Sequence, residues 1–262
     1  DGISNGSMGV DSGDYDNDGD LDLWVTNFSE EANCLMVNNG QGYFADLTFD
    51  LGLAEPSFQP LAFGTRFLDY DNNGWSDLVV GNGHIMDNVN LINRLMTYAQ
   101  SLQLFHNRNG VFEEITSGTG FNTEGYVVRG LMTGDYDNDG DVDLFLCQSN
   151  RPLVVLRNEI GNKSSWLTIK LVSGGANTAG IGSKVSVTTG ELTQTREVLN
   201  GASYLSGNDM RLSFGLSKAA LVGASVDKNV RWIAIGPSSR LTAAIMAGKK
   251  RVRPFGPSGV WG

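Results

Sequence analysis

Cysteine is nearly absent from this sequence. Cys34 and Cys147 are the only two in 262 residues, and neither stands in a Cys-x-x-Cys or Cys/His spacing. Zinc-finger and dithiol redox chemistry are thereby excluded. One bridge between the two would be allowed, but the preferred reading is a pair of half-buried small side chains in strands. Histidine is equally scarce, with His84 in a Gly-His-Ile context and His106 in a Phe-His-Asn context. There is no Gly-x-Ser-x-Gly elbow, no His-Glu-x-x-His and no phosphate-cradling glycine loop. Basic residues are outnumbered, 19 against 29 acidic, and the net charge of −10 repels nucleic-acid phosphates and anionic membrane surfaces. No apolar run approaches the ~18 residues needed to span a bilayer as a helix, so neither nucleic acid nor membrane insertion is expected. Proline is limited to 6 residues and no Gly-X-Y period occurs, which excludes a collagen-like chain. The chain opens at Asp1 with neither an initiator Met nor a signal peptide, so the expectation is a processed or truncated piece.

Glycine, by contrast, is abundant. Its 34 residues are nearly twice the usual ~7%, which implies many tight turns in a globular chain that is 40% hydrophobic. A search for self-similarity finds one nonapeptide three times: Asp14-Tyr-Asp-Asn-Asp-Gly-Asp-Leu-Asp22, Asp69-Tyr-Asp-Asn-Asn-Gly-Trp-Ser-Asp77 and Asp135-Tyr-Asp-Asn-Asp-Gly-Asp-Val-Asp143. Each copy leads into an apolar run, Leu21 to Val25, Leu78 to Val80 and Val142 to Leu146, that reads as a strand. A second element recurs between copies. Leu35 to Gly40 leads to Phe44 to Thr48, Leu104 to Gly110 leads to Phe112 to Thr116, and Leu153 to Asn158 is a partial third copy without its closing strand. Each full unit thus carries about four short strands, the content of a propeller blade. The stretch from His84 to Gln100 is an insertion in the second unit; Leu91, Leu95 and Met96 suggest a short helix lying over one face.

From Ser164 the texture becomes alternation without the Asp motif, with five expected strands at 166–172, 183–189, 194–199, 211–216 and 230–235. The expected fold class is therefore all-β: a partial propeller of about three blades over 1–162, a small antiparallel sandwich or barrel over 163–236, and a tail of uncertain structure over 237–262.

The nonapeptide alternates so that side chains 1, 3 and 5 converge while glycine at 6 turns the chain; residue 7 can then offer its carbonyl and residue 9 its carboxylate. Hard oxygen ligands at this spacing suit Ca²⁺, whereas Mg²⁺ would demand a tighter octahedron. Position 9 leads into a strand and no Glu follows at position 12, so these are not EF-hands. The candidate ligands are Asp14, Asp16, Asp18, Asp20 and Asp22; Asp69, Asp71, Asn73, Trp75 (by its carbonyl) and Asp77; and Asp135, Asp137, Asp139, Asp141 and Asp143. The loops hold 13 of the 29 acidic residues, and without them the chain would carry +3 instead of −10. Such local acidity calls for a counter-cation. With three carboxylates instead of five, the second loop is expected to bind most weakly. Tyr15, Tyr70 and Tyr136 recur with the blades and read as packing residues.

The loops with their flanks, especially Phe63-Gly-Thr-Arg-Phe-Leu-Asp-Tyr-Asp-Asn72 and Leu78-Val-Val-Gly-Asn-Gly-His84, resemble the FG-GAP/VCBS repeats of the cartilage acidic protein family and its bacterial relatives. Ile181 to Thr189, Gln194 to Val198, Gly201-Ala-Ser-Tyr-Leu-Ser206 and Leu212 to Leu216 resemble the ASPIC/UnbV domain that follows those repeats. The resemblance covers residues 7 to 235. It implies a Ca²⁺-binding β-propeller on a secreted or cell-surface protein with no settled catalytic role. Two features depart from it: Asn73 and Trp75-Ser76 in the second loop, and the end from Ile235 onward, where Lys249 to Arg253 form a basic run that reads as a solvated tail in preference to an acidic-partner contact.

Metal-assisted hydrolysis by the Asp loops is the enzymatic alternative, but three equivalent closed loops read as structural. His84 is the one residue worth testing for catalysis, and a turn-stabilising hydrogen bond is its preferred role. The leading function is a non-enzymatic extracellular interaction or scaffold module contacting a protein or glycan through exposed loops. The alternative is an accessory domain of a larger surface enzyme or complex whose chemistry lies outside this chain. Sequons at Asn5, Asn27 and Asn162 fit secretion but are equally expected by chance in an Asn-rich chain. Because a closed propeller needs about four to eight blades, an open arc is expected. Its free edges would be met by upstream blades, by association of copies or by the second domain; the resemblance favours upstream blades.

Overall fold

The computed structural model describes residues 4–121, 124–218, 221–227 and 231–236. It is all-β, built from small antiparallel sheets that do not close into a barrel. The first is a four-stranded meander of β1 (Val10–Gly13), β2 (Asp22–Val25), β3 (Cys34–Asn38) and β4 (Phe44–Asp46). A five-residue helix, α1 (Ala54–Phe58), leads to the second meander of β5 (Ala62–Leu68), β6 (Asp77–Asn82), β7 (Gln103–Arg108) and β8 (Val111–Glu114). The third sheet stops at three strands, β9 (Val128–Gly134), β10 (Asp143–Gln148) and β11 (Val154–Leu156), as the missing fourth element implied.

Side-chain alternation explains how the three sheets stack as propeller-like blades. In β6 every residue is buried, because the second blade is covered on both faces. Leu78 and Val80 point toward the first blade, joining Trp24, Leu35 and Phe105 in one core. Val79, of opposite parity, joins Val128, Leu131, Leu144 and Leu146 in the core against the third blade. Among the described residues the first blade is covered on one face: Trp24 is fully buried while its neighbours Leu23 and Val25 are half-exposed. The blades approach closely at Gly64, where a Cβ would run into Leu131 and its backbone, so the Phe63-Gly64 pair lets β5 and β9 meet.

The insertion at 84–100 differs from its expected short helix. It contains a single 3-10 turn at Val89–Leu91. Leu91 and Leu95 are exposed whereas Val89 and Met96 are buried, so the apolar residues do not share a helical face.

The remainder forms two three-stranded sheets. One holds β12 (Ser165–Val172) between β15 (Leu212–Ser217) and β17 (Arg231–Ile235); the other holds β13 (Lys184–Thr189) between β14 (Leu192–Glu197) and β16 (Leu221–Val226). Leu167, Ile169, Val185, Val187 and Phe214 are buried in one core between them, which makes the unit a sandwich. It has one strand more than the five expected, β16, whose glycine at 223 interrupts the alternation that marks a strand. The basic run at 249–253 lies outside the described residues.

A segment of this second unit, Ala202 to Asp209, runs past the first strand of all three blades. Ser203 forms an antiparallel bridge with Val10 and accepts from the Thr65 N–H at its Oγ (2.8 Å). Asn208 accepts from the Thr133 N–H (2.9 Å), and the Asp209 N–H donates to the Thr133 carbonyl (3.1 Å). The free edge of β1 is therefore met by the second unit.

Candidate metal centre

Each nonapeptide is the loop between the first two strands of its blade, with position 9 the first residue of the second strand. The three loops fold alike. Asparagine at position 4 is left-handed (Asn17 φ 61°, Asn72 57°, Asn138 59°), and so is glycine at position 6 (Gly19 φ 94°, Gly74 96°, Gly140 98°). These are the residue types that tolerate positive φ. The position 6 N–H donates to the position 1 carboxylate at 3.1, 2.8 and 3.2 Å, and the tyrosine N–H donates to the position 9 carboxylate at 3.2, 3.0 and 3.2 Å.

The third strand of each blade, or in the third blade the residue two past the end of β11, supplies a clamp. Asn38, Asn107 and Asn158 each donate a backbone N–H to the position 9 carboxylate, at 2.9, 2.7 and 2.9 Å. Their side-chain amides reach the position 8 carbonyls of Leu21, Ser76 and Val142. Two clamps also cross to the preceding blade, Asn107 donating to the Tyr15 carbonyl and Asn158 to the Tyr70 carbonyl, both at 2.7 Å. The loops are linked directly as well: Asn17 donates to the Gly74 carbonyl (3.3 Å) and Asn72 to the Gly140 carbonyl (3.0 Å). Beyond the third loop, Arg211 of the second unit takes the next position and donates to Asn138 (2.8 Å).

Carboxylates converge in all three loops. Ligand atoms of Asp14, Asp16 and Asp18 lie within 4.8 Å of one another, as do those of Asp135, Asp137 and Asp143, and those of Asp71, Asp77 and His106. The remaining candidates are placed differently. Both oxygens of Asp22 accept backbone N–H groups, from Tyr15 and Asn38. Asp20 is half-exposed, and Asn73 accepts from the Trp75 N–H (2.7 Å). Asp69 accepts from Gly74 and Asn73, with the Arg196 guanidinium 4.0 Å away. Asp139 accepts from the Asn162 side chain (2.8 Å), and Asp141 turns toward the same segment, accepting the Asn162 N–H (3.0 Å).

Among the described residues two buried carboxylate oxygens have no hydrogen-bond partner, Oδ1 of Asp14 and Oδ1 of Asp141, both in the loops. Asp14 is 2% exposed and belongs to the first convergent group, and an unpaired buried carboxylate oxygen is costly unless a cation meets it. The donor set, hard oxygens on a glycine-turned loop, fits Ca²⁺. Burial pushes the Asp14, Asp22, Asp69 and Asp141 carboxyls up from 3.8 to about 7, with neighbouring carboxylates adding to the shift. Asp77 rises to about 6, burial outweighing the hydrogen bond from His106. Asp139 moves the other way: burial raises it, but hydrogen bonds from Asn162, Asp141 and Arg157 together hold it below the usual range.

His106 and the clamp asparagines were not candidates on sequence grounds, although the asparagine closing each strand-and-turn element was a visible signal. His84 accepts from the Met86 N–H at 3.0 Å, a turn-stabilising bond. Tyr15 stacks on Phe112 in the core and Tyr70 packs edge-on against His106. Tyr136 contacts Phe145 but is half-exposed, unlike buried Tyr15. Cys34 and Cys147 are both free, in β3 and β10; Cys34 is half-buried as expected, whereas Cys147 is exposed.

Comparison with known families agrees with this architecture. A model described as FG-GAP-like repeat matches residues 14–80 and again 69–146, each match running from one Asp loop through the next. A model described as ASPIC and UnbV matches residues 173–233. The chain belongs to the FG-GAP-like repeat proteins and carries an ASPIC/UnbV domain after its repeats. No curated protein matches it.

Proposed function

We propose that this chain is a non-enzymatic, calcium-binding interaction or scaffold module of the extracellular or cell-surface type. The observation that carries the metal reading is Asp14 Oδ1, buried and unpartnered in a group with Asp16 and Asp18. Ca²⁺ would supply the positive charge that lets these carboxylates stay ionised. The residues that would hold it are positions 1, 3 and 5 of each loop with help from 7 and 9, while the clamp asparagines fix the loop ends. FG-GAP repeats are typical of extracellular or surface proteins, where Ca²⁺ is abundant enough to fill sites of ~10⁻⁴ to 10⁻³ M. Among the described residues no helix is long and apolar enough to cross a membrane. A protein or glycan partner would meet the exposed loops; the insertion supports this by presenting Leu91, Ile92 and Leu95 at 80%, 72% and 83% exposure. Elemental analysis after dialysis against Ca²⁺, with calorimetric titration of the stripped protein, tests the reading. Three ions per chain are expected, and no bound calcium at millimolar concentration would refute it.

A further inference from the structure

The clamp asparagines align the three blades residue by residue, and the side chain just before each clamp faces a different fate. In the first blade it is Val37, which carries no polar group and packs against the core between the first two blades. In the second it is His106, with Nδ1 3.0 Å from Asp77 and Nε2 4.0 Å from Asp71. In the third it is Arg157, whose Nε lies 2.7 Å from Asp137 Oδ2 and whose Nη2 lies 3.4 Å from Asp139 Oδ2. The same strand position thus offers its loop nothing, an imidazole or a guanidinium, and where it offers a group, that group reaches the position 3 carboxylate.

We propose that the residue before the clamp asparagine sets the ion affinity of its loop, and that Arg157 is a tethered counter-ion holding Asp137 and Asp139 until Ca²⁺ displaces it. The proposal rests on the calcium reading above and deepens it. Carboxylate count alone ranks the first and third loops equal, five each. Arg157 breaks that equality. Two of the third loop's ligands at positions 3 and 5 are engaged by a permanent cation, and calcium must release both before it can coordinate them. Because the guanidinium is attached to the chain, it competes at a fixed local concentration. Arg211 adds positive charge at the same loop, donating through Nη2 to the Asp135 carbonyl at 2.6 Å. Among the described residues no arginine or lysine forms an ion pair with a carboxylate of the first loop. The first loop is therefore the tight site and the third a weaker one, with Arg157 returning to its carboxylates when the ion leaves.

The third loop carries its own reporter. Trp166 sits so close to Gly140 that a Cβ on that glycine would overlap the indole, so terbium in this loop is sensitised by Trp166. The experiment uses the full chain with Trp75→Phe, which removes the tryptophan of the second loop, and displaces Tb³⁺ with Ca²⁺. The signal that disappears in Trp166→Phe belongs to the third loop. Arg157→Gln should tighten calcium there about tenfold, and Arg157→Met, which keeps the stem, should do the same. Arg157→Lys, which keeps the charge, should stay within about threefold of the parent. Unchanged affinity in the Gln and Met variants, with calcium still bound, overturns the counter-ion role and leaves the calcium reading intact. Equal tightening in the Lys variant also overturns it, since charge would then not be the cause. A parent protein that binds neither Tb³⁺ nor Ca²⁺ overturns the calcium reading and this proposal together.

Discussion

Stripping calcium at neutral pH should destabilise the protein in a way that acid relieves. The perturbation acts on carboxyls held above their ordinary range, and buried Asp69, raised from 3.8 to about 7, shows the size of the effect. Because the native state holds this proton more tightly than the unfolded chain, the group's stabilising contribution is complete below pH ~3.8 and is lost as pH climbs to about 7. At ~1.36 kcal/mol per pKa unit, the loss is at most about 4 kcal/mol. Calcium opposes it by pairing with the ionised loops. If each of three sites stands at ten times its Kd, linkage contributes RT ln 11, ~1.4 kcal/mol per site and ~4 in all. With ~2 to 4 °C per kcal/mol for a domain of this size, EDTA at pH 7.5 should lower Tm by roughly 10 °C. At pH 5 Asp14, Asp22, Asp69, Asp77 and Asp141 are largely protonated in the stripped fold, calcium must displace those protons and the gap should shrink to about 3 °C. The assay is differential scanning calorimetry with and without chelator at both pH values. An equal gap at the two pH values, or none at pH 7.5 after metal loss is verified, would refute the reasoning.

Asp71→Ala should cost less stability in Ca²⁺ than Asp16→Ala, because the second loop attracts the ion with fewer carboxylates; chemical denaturation of the two variants gives the order directly. Asn72→Ala removes donors to the Gly140 and Gly161 carbonyls (3.0 and 2.9 Å) and should cost about 2 kcal/mol, read as a lower urea midpoint. Gly64→Val would drive a branched side chain into Leu131 and should cost about 3 kcal/mol or prevent folding; a variant as stable as the parent would contradict the described approach of β5 and β9. Thiol labelling of the native protein should modify exposed Cys147 quickly and Cys34 slowly, since Cys34 is half-buried and burial raises its pKa.

Much of this architecture is legible before folding because its signals are local. The nonapeptide fixes its own turn through Asn at position 4 and Gly at position 6, and the apolar run Leu78 to Val80 marks a strand; that the strand is covered on both faces emerged only in the structure. The sandwich strands read well where alternation is clean, as at 184–189, and fail at β16, where Gly223 breaks it. The surroundings of the loops are another matter. His106 lies 29 residues from Asp77, and Arg211 lies 73 from Asn138. Nothing in local spacing brings such pairs together; the first meets through the pairing of β6 with β7 across the insertion, and the second through the return of the second unit across the blades.

The asparagine at position 4 does its bonding outside its own loop, donating from Asn17 to Gly74 and from Asn72 to Gly140. Donor and acceptor are both spelled within the same nine residues, so every copy of the motif carries a plug for the next copy and a socket for the one before. Gene duplication can lengthen such a row without inventing a new interface, since the duplicated segment arrives with its connectors already matched. It also separates two selective pressures inside one short motif: positions 1, 3 and 5 answer to an ion, while positions 4 and 6 answer to the neighbouring repeat. A blade with weaker ion binding can therefore still hold its place in the row, as the second loop does with three carboxylates instead of five and Asn72 bonded to the next loop.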